Sequence, residues 1–193
     1  MSQTMETEED LLTCLHVKLY HPQQTFRGFY HQLPLSNRRQ HQADEPLRLG
    51  RDAQACTFTL ADPKVSRKQL AFHAYRTPQD PGMLFTVQNL SQKGRMMVNR
   101  SALGYLERMD LPDKALIEFG GFEMLVVREP GEAKMSYEVE FHVLEVPPST
   151  ETGIAPQSIT PVMETGSCNS SAYSLPGELA CHGPLETDET LMA

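Results

Sequence analysis

Three short polar turns carry the side chains best suited to binding chemistry. They are Leu49-Gly50-Arg51, Val65-Ser66-Arg67-Lys68 and Gln88-Asn89-Leu90-Ser91. Each lies where a short apolar run meets a turn, so in an antiparallel sandwich we expect the three to gather at one edge. There an arginine guanidinium, a serine hydroxyl and an asparagine amide can converge on one small anion, and a guanidinium matches the geometry of a phosphate. The sequence therefore predicts a loop cluster that binds a phosphate group.

The stretches around these turns predict an all-β fold. About ten short apolar runs recur at spacings near ten residues, a pattern typical of an antiparallel β-sandwich, and almost no stretch has helical periodicity. The best candidate for a helical turn is 103–108, while 35–46 is predicted to be a loop. The predicted strands are 15–20, 26–30, 47–49, 56–60, 69–75, 84–87, 96–98, 115–119, 124–127 and 137–146.

Charge divides the chain into a near-neutral body and two acidic flanks. The net charge is −8, but residues 1–10 hold four acidic residues and no base, and 147–193 hold six and no base. Residues 11–146 therefore carry a net charge of +2. This distribution argues against general nucleic-acid binding and permits an acidic ligand. The acidic leader and the tail from 147 to 193, which is rich in Pro, Ser, Thr and Gly, are expected to be disordered.

The three turns, together with Val98-Asn99, resemble the loops of the forkhead-associated (FHA) domain family. The resemblance covers about residues 14–146 and implies a sandwich of about eleven antiparallel strands in two sheets, whose loops bind phosphothreonine. It implies that Arg51 pairs with the phosphate and Ser66 donates its hydroxyl. It also implies that Asn89 holds the peptide backbone and that Gly50 allows close approach.

The chain departs from the family pattern at some positions. The family often has His three residues after the loop serine, where this chain has Gln69, and we expect Gln69 to brace the loop by hydrogen bonding. Gln88 is also predicted to be a phosphothreonine-binding residue, but it stands where a basic residue would be expected, so the phosphate meets one positive charge fewer. Gly94-Arg95 stands where the family often has Asn-Gly.

Segments outside these loops resemble a narrower family, the TRAF-interacting proteins that carry an FHA domain. The matching segments are Thr7-Glu8-Glu9-Asp10, Thr13-Cys14-Leu15, Tyr20-His21-Pro22, Leu103-Gly104-Tyr105-Leu106 and Met109-Asp110-Leu111-Pro112. The resemblance implies a cytoplasmic innate-immune adaptor upstream of NF-κB, in which an alpha-kinase phosphorylates Thr7 and the FHA domain of another copy binds it. Asp10 then occupies the third place after phosphothreonine, which such domains read. Thr4 is the alternative phosphorylation site.

The length of the leader bears on how Thr7 could be bound. Thr7 lies eight residues before Leu15, so its tether spans at most roughly 27 Å. If the phosphate-binding edge is remote, the leader cannot fold back, and binding from copy to copy forms open chains. The other hypothesis is an FHA module that binds phosphothreonine on a different partner protein, without self-assembly.

The tail contains a motif that resembles the peptide bound by the TRAF domain of the sixth TRAF ubiquitin ligase. Pro184, Glu186 and Glu189 occupy the fixed positions of Pro-x-Glu-x-x-acidic or aromatic. Such peptides add as an extended strand whose alternate side chains enter pockets. Pro176-Gly177-Glu178 matches only in part, because Cys181 stands at the last position. Three fixed positions also arise by chance in a tail rich in Pro and Glu, so a segment without this role is the alternative hypothesis.

Other function classes find little support. Ser66, His73 and Asp62 are hydrolase residue types, but no nucleophile-elbow glycines surround Ser66, so an enzyme is not predicted. No metal site or cofactor is predicted, because the seven histidines, at 16, 21, 31, 41, 73, 142 and 182, have no paired ligand spacing. No apolar run approaches about 20 residues, and the N-terminus lacks a signal peptide. The four cysteines lack CxxC spacing and are predicted to be free thiols.

Overall fold

Alternating apolar and polar residues build the central strand of the larger sheet, β1 (Cys14–Tyr20). In the computed structural model, which describes residues 11–151, Leu15, Val17 and Leu19 of this strand are buried. His16 and Lys18, between them, are only half-buried and lie on the outer face. A period of two is the repeat of a strand that buries one face. The predicted first strand is confirmed, beginning one residue earlier than expected.

Eleven further strands and one short helix follow within residues 11–151. They are β2 (Arg39–Gln42), β3 (Leu47–Gly50), β4 (Phe58–Thr59), β5 (Leu70–Tyr75), β6 (Leu84–Asn89), β7 (Met96–Val98), β8 (Ser101–Ala102), β9 (Arg108–Asp110), β10 (Lys114–Phe119), β11 (Phe122–Glu129), β12 (Ser136–Val143) and α1 (Pro148–Glu151). The larger sheet has the order β2-β12-β1-β11-β10-β7-β8, and the smaller has the order β4-β3-β5-β6-β9. The predicted all-β sandwich is confirmed. Most neighbours are antiparallel as expected, but β1 pairs in parallel with β12, and β3 pairs in parallel with β4.

The two sheets enclose a core of aliphatic and aromatic side chains. Phe85 of β6 meets Tyr137 of β12 with ring centroids 4.9 Å apart, and Phe58 of β4 meets Phe141 of β12 at 4.7 Å. Burying one such side chain contributes about 1.5–3 kcal/mol. The core therefore supplies the stability, and the turns at the sheet ends are left to carry polar side chains.

Residues 26–30 were predicted to be a strand, and that prediction is wrong. They form turns, closed by hydrogen bonds such as Phe26 N to Gln23 O at 3.2 Å and Leu33 N to Tyr30 O at 3.0 Å. Phe29 is buried against other aromatic rings, whereas Phe26 is 88% exposed. A turn that buries an aromatic residue at the end of the core has the same local composition as a strand, which explains the error.

Two more local predictions fail for different reasons. Residues 35–46, predicted to be a loop, contain β2, an edge strand paired with β12. Its polar side chains are mostly exposed, so it has no apolar repeat to detect. Residues 103–108 form no helical turn. Leu106 has a left-handed φ of 64°, and its N–H donates to the Asn89 carbonyl at 2.7 Å; a left-handed residue interrupts any right-handed helix.

The tail was predicted to be disordered from residue 147, and for its first residues that prediction is wrong, because Pro148–Glu151 forms α1 and Ser149 N donates to Glu123 Oε2 at 3.0 Å. The rest of the two acidic flanks, residues 1–10 and 152–193, lies outside the described residues. So do the predictions placed on them, namely the disordered tails and residues Thr4, Thr7, Asp10, Pro184, Glu186 and Glu189. Between residues 11 and 151, no helix has the length and apolar character needed to cross a membrane. Cys14 and Cys56, the cysteines in this range, are free.

Gly50, at the end of β3, lies directly against the backbone of the turn that precedes β5. A Cβ atom at this position would lie 2.2 Å from the Arg67 carbonyl oxygen and 2.8 Å from Cys56 Sγ. The neighbouring backbone is fixed, since Leu60 N donates to Gly50 O and Gln69 N donates to Leu49 O, each at 2.9 Å. Neither segment can move away without weakening these hydrogen bonds.

We expect Gly50→Ala to lower the free energy of unfolding by about 2–3 kcal/mol, because the added methyl group meets a backbone carbonyl rather than a movable side chain. Urea denaturation measures the change. Gly28→Ala is the control, since a Cβ there meets only His31 Nδ1, at 3.9 Å, and should change stability by less than about 0.5 kcal/mol. If the two variants are equally stable, the segments at Gly50 and Arg67 can move apart without lowering the free energy of unfolding, and the prediction is wrong.

Candidate functional site

Backbone hydrogen bonds join the first two of the polar turns. Arg51 N donates to Ser66 O at 3.0 Å, and Asp52 N donates to Arg67 O at 3.1 Å, which continues the pairing of β3 with β5 beyond the strand ends. Leu90 N donates to the Gln69 carbonyl at 3.0 Å and so attaches the third turn. The three turns therefore meet at one end of the smaller sheet.

An open cavity of about 530 Å³ lies between these turns. Arg51 and Ser66 line it, together with Asp52, Ala55, Arg67, Lys68, Leu90, Gln92 and Lys93. Four of these side chains are cationic and one is anionic, and the Asp52 carboxylate accepts a hydrogen bond from Gln54 N at 3.0 Å within its own turn. The cavity is therefore electropositive, which favours a phosphate or another anion.

The hydroxyl of Ser66 is held by the hydroxyl of Ser91. The two Oγ atoms are 2.6 Å apart, and Ser91 Oγ donates to the Lys93 carbonyl oxygen. A hydroxyl has one proton, and Ser91 donates its proton to the Lys93 carbonyl. Ser66 must therefore be the donor in the pair of hydroxyls. Rotation about the Ser66 C–O bond can transfer this hydrogen bond to an anion in the cavity.

Gln69 fixes the backbone beneath Ser66. Its Oε1 accepts a hydrogen bond from Ser66 N at 3.1 Å, and the side chain is almost fully buried. Its own N–H donates to Leu49 O, and its carbonyl accepts from Leu90 N, so this one residue bonds to all three turns. The expectation that Gln69 braces the loop, where the FHA family often has histidine, is confirmed.

Asn89 and Gln88 lie outside the lining of this cavity. Asn89 is 2% exposed; its Nδ2 donates to Leu103 O at 2.8 Å, and its Oδ1 accepts from Ser91 N at 2.9 Å. Asn89 does line a neighbouring shallow cavity of about 340 Å³. Gln88 points to the outer face of the smaller sheet, where its Oε1 lies 3.1 Å from His73 Nε2 and its Nε2 donates to Leu106 O at 3.1 Å. The structure thus brings Arg51 and Ser66 together, while Asn89 ties the adjacent loops and Gln88 faces away.

A buried histidine–carboxylate pair supports the turn before Ser66. His21 and Asp62 are 4% and 2% exposed, and His21 Nε2 lies 3.9 Å from Asp62 Oδ2. The other Asp62 oxygen accepts a hydrogen bond from Lys64 N at 2.9 Å. Burial lowers the pKa of His21, so the imidazole is neutral at pH 7. The pair therefore acts mainly by packing the turn against the end of β1.

The three residues of the hydrolase hypothesis are not joined to one another. Ser66 bonds to Ser91, Asp62 faces His21, and the His73 ring bonds to Gln88. Among residues 11–151, no histidine forms a hydrogen bond to the Ser66 hydroxyl. These three residues therefore do not form the serine–histidine–carboxylate arrangement of a hydrolase.

Sequence reasoning did not single out Ser91 and Lys93 as site residues. A signal for Ser91 was present, because an Asn two residues before it commonly forms an Asx turn with its N–H. A signal for Lys93 is Gly94, whose φ of 85° turns the chain after the lysine and leaves Lys93 on the cavity wall. Arg67 and Lys68, adjacent to Ser66, were visible as basic neighbours.

Comparison with known proteins places these features in a family. Residues 47–120 match the family model of the FHA domain. TRAF-interacting protein with FHA domain-containing protein A from Rattus norvegicus is 32% identical over 158 residues, which cover 82% of this chain and 84% of that relative. TRAF-interacting protein with FHA domain-containing protein B from Homo sapiens is 35% identical over 139 residues, which cover 72% of this chain and 83% of that relative.

Among solved structures, the solution structure of the FHA domain of an Arabidopsis thaliana hypothetical protein is 14% identical, with a TM-score of 0.42, and the match covers 69% of this chain and 98% of that one.

The identity to the two animal relatives exceeds 30% and extends over most of their length. The FHA match covers the three turns and the strands that carry them. The chain therefore belongs to the family of TRAF-interacting proteins with an FHA domain.

Proposed function

We propose that this chain is a signalling adaptor whose FHA domain binds phosphothreonine. The observation that carries the proposal is the meeting of Arg51 and the Ser66 hydroxyl at one cationic cavity. Within residues 11–151 the Arg51 guanidinium makes no ion pair, so it is available to a phosphate. Arg51 and Ser66 contact the phosphate, and Gly50 lets their two turns approach each other. Asn89 positions the loop that faces the peptide backbone, and Gln88 supports that loop from the outer face.

The ligand in this proposal is phosphorylated Thr7 of another copy. Thr7 is surrounded by the acidic side chains Glu6, Glu8, Glu9 and Asp10. The cavity presents the complementary cations Arg51, Arg67, Lys68 and Lys93. Complementary charge accelerates encounter and favours the correct partner, and charge-assisted hydrogen bonds to a phosphate are about twice as strong as neutral ones. Asp10 is proposed to contribute specificity at the third place after the phosphothreonine.

Chain geometry supports binding between copies rather than within one. The leader is anchored at one end of β1, where Glu132 N donates to Leu11 O at 2.8 Å. The other end of β1 lies near the phosphate-binding turns, since His21 faces Asp62 there. The seven residues of β1 span about 20 Å, whereas Thr7, four residues before Leu11, reaches at most about 14 Å. This geometry favours binding of phosphorylated Thr7 by the cavity of another copy, and a head-to-tail contact between copies forms open chains.

The tail supplies the second half of the proposed mechanism. Pro184, Glu186 and Glu189 are proposed to bind the TRAF domain of a TRAF-family ubiquitin ligase, and the names of the relatives describe proteins that interact with TRAF. A single extended peptide of this kind binds weakly. Collecting many tails on one phosphorylation-dependent chain raises the avidity by about 10²–10⁴-fold without any new contact. The proposed setting is cytoplasmic innate-immune signalling upstream of NF-κB, with an alpha-kinase that acts on Thr7.

The first test is calorimetric titration of the full-length chain with a peptide of residues 1–13 phosphorylated on Thr7. We expect binding that Arg51→Ala weakens about ten- to hundredfold, because each hydrogen bond between charged partners is worth about 1.5–3 kcal/mol. Ser66→Ala should weaken it less. Asp10→Ala in the peptide should also reduce affinity.

Arg48→Ala is the matched control, because Arg48 lies in β3, the strand that ends just before Arg51, is exposed, and does not line the cavity. It should leave the affinity nearly unchanged. If the wild-type chain ignores this peptide but binds phosphothreonine in another sequence, the alternative function holds, in which the module binds a different protein. If it binds no phosphothreonine peptide, the phosphate-binding proposal itself is wrong.

The second test measures assembly. After stoichiometric phosphorylation of Thr7, light scattering should report a molar mass that rises with protein concentration, as expected of open chains. Phosphorylated Arg51→Ala and unphosphorylatable Thr7→Ala should keep the mass of the untreated protein. Thr4→Ala is the control and should assemble normally. An unchanged mass after phosphorylation of Thr7 would contradict assembly.

The third test concerns the tail. The TRAF domain of the sixth TRAF ubiquitin ligase, immobilised on a surface, should retain the phosphorylated assembly at least about tenfold longer than the unphosphorylated chain. Glu186→Ala should remove the retention, because it deletes one of the three fixed positions. Glu178→Ala, in the incomplete motif, is the control and should have no effect. Retention that survives Glu186→Ala would assign TRAF binding to another segment.

A further inference from the structure

A second cluster of side chains lies on the outer face of the larger sheet, on the strands β1, β11 and β12. The parallel register of β1 and β12 sets His16 beside Glu140 and Cys14 beside Glu138. The antiparallel register of β1 and β11 sets Cys14 beside Glu129. Cys14 Sγ, a ring nitrogen of His16 and a carboxylate oxygen of Glu140 all lie within 4.8 Å of one another. Sulfur, imidazole and carboxylate are the ligand types that Zn²⁺ and similar transition-metal ions take in proteins.

Both ring nitrogens of His16 face carboxylates. Nε2 lies 2.5 Å from Glu129 Oε2, and Nδ1 lies 3.4 Å from Glu140 Oε2. A neutral imidazole donates from one nitrogen only, so a hydrogen bond from Nε2 to Glu129 leaves the lone pair of Nδ1 directed at the Glu140 oxygen. Two acceptors in this arrangement repel each other unless a cation or an added proton stands between them. Metal-bound histidines commonly have this pattern, with a carboxylate that accepts from the second nitrogen and fixes the ring.

The spacing of these atoms suits a tetrahedral ion. Zinc–nitrogen and zinc–oxygen bonds of about 2.0–2.1 Å at the tetrahedral angle place the two ligand atoms about 3.3 Å apart. The distance between His16 Nδ1 and Glu140 Oε2 is 3.4 Å. The sulfur, with a zinc bond of about 2.3 Å, needs to lie about 3.6 Å from each of them. In the structure the three ligand atoms lie within 4.8 Å of one another, so binding of the ion would draw the sulfur toward the other two.

Cys14 is the ligand that distinguishes this cluster from an ordinary surface ion-pair network. Its side chain is fully buried, and it makes no side-chain hydrogen bond within the part of the chain that the structure describes. The sulfur lies at the base of the cluster, with Glu129 and Glu138 on the neighbouring strands. A buried soft donor next to an imidazole and a carboxylate favours a transition-metal ion over Ca²⁺ or Mg²⁺, which prefer oxygen ligands.

The local charge also favours a divalent cation. Three carboxylates, those of Glu129, Glu138 and Glu140, surround one guanidinium, that of Arg38. The carboxylates and the guanidinium together carry a surplus of two negative charges. Lys18, farther along β1, makes no ion pair with these carboxylates among the described residues. Arg38 Nε lies 3.5 Å from the same Glu140 oxygen that faces His16, and its side chain is 36% exposed, so it can withdraw toward solvent.

We infer that Cys14, His16 and Glu140 form a binding site for a zinc-class divalent ion. In this site Glu129 orients the imidazole of His16, and the fourth coordination position is open to solvent. His142 Nε2 lies 3.6 Å from the second oxygen of Glu140, on the same face of the sheet. Arg38 competes with the metal ion for Glu140. The site is remote from the phosphate-binding cavity in the fold, because it lies on the other sheet, and it does not depend on the proposed function.

The test is titration of the full-length chain with Co²⁺, which reports a thiolate ligand by a sulfur-to-cobalt charge-transfer band in the near ultraviolet. One equivalent should saturate the band, and Zn²⁺ should abolish it by displacement. Cys14→Ser should remove the band, and Glu140→Gln, which keeps the thiol, should weaken cobalt binding at least tenfold. Arg38→Gln should strengthen binding, because it removes the competing cation.

Matched variants separate this site from other thiols and imidazoles. Replacement of Cys56, Cys168 and Cys181 together by serine should keep the band, and His73→Gln, in the smaller sheet, should not affect it. The melting temperature of the wild type should rise with Zn²⁺, and that of Glu140→Gln should not, which keeps the test decisive if Cys14→Ser fails to fold. A band absent from the wild type, or one that persists in Cys14→Ser, would overturn the inference and leave an ion-pair network centred on Arg38.

Discussion

The close contact between Gly50 and the Arg67 carbonyl is the constraint on which the three turns of the candidate site depend. Because Gly50 has no Cβ, the end of β3 approaches the turn before β5 closely enough for the hydrogen bonds from Arg51 N to Ser66 O and from Asp52 N to Arg67 O. These bonds place the side chains of Arg51 and Ser66 on the same cavity wall. The glycine acts on the protein backbone here, so its influence on a ligand is indirect.

The polar groups around this contact are largely satisfied before any ligand arrives. Gln69 bonds the backbone of Ser66, Ser91 bonds its hydroxyl, and Asn89 bonds the N–H of Ser91. A side chain that is already held in its binding geometry loses little conformational entropy on association. Only the exposed cations of the cavity need to be ordered when an anion enters. The site thus has a buried, hydrogen-bonded base, formed by Gln69, Asn89 and Ser91, beneath exposed basic side chains.

The fold could be predicted from the sequence where local pattern and tertiary environment agree. The alternation of Leu15, Val17 and Leu19 predicted β1, and the spacing of short strands predicted a sandwich. The turn that buries Phe29 could not be predicted, because the burial comes from residues distant in sequence. The positions of the turns in the sequence predicted that Arg51 and Ser66 lie near each other. They did not show that the Asn89 side-chain amide is hydrogen-bonded within the protein.

The outer-face cluster shows the same limit more strongly. His16 and Glu140 are 124 residues apart, and only the parallel register of β1 and β12 makes them neighbours. A search for closely spaced ligand pairs along the chain cannot detect a pairing of this kind. Strand order and register, which are set by the core on the opposite face, decide which polar side chains meet.

A head-to-tail assembly has a direction, and the two ends of the described part of the chain lie toward opposite ends of β1. The leader departs beside Leu11 at one end of β1, whereas Ser149 is bonded to Glu123, next to the opposite end of that strand. A row of copies joined from leader to cavity would therefore have unlike termini, one with an unfilled cavity and the other with an unbound leader. Growth at the two termini could then be blocked separately, by a free phosphopeptide at one and by a copy that lacks its leader at the other.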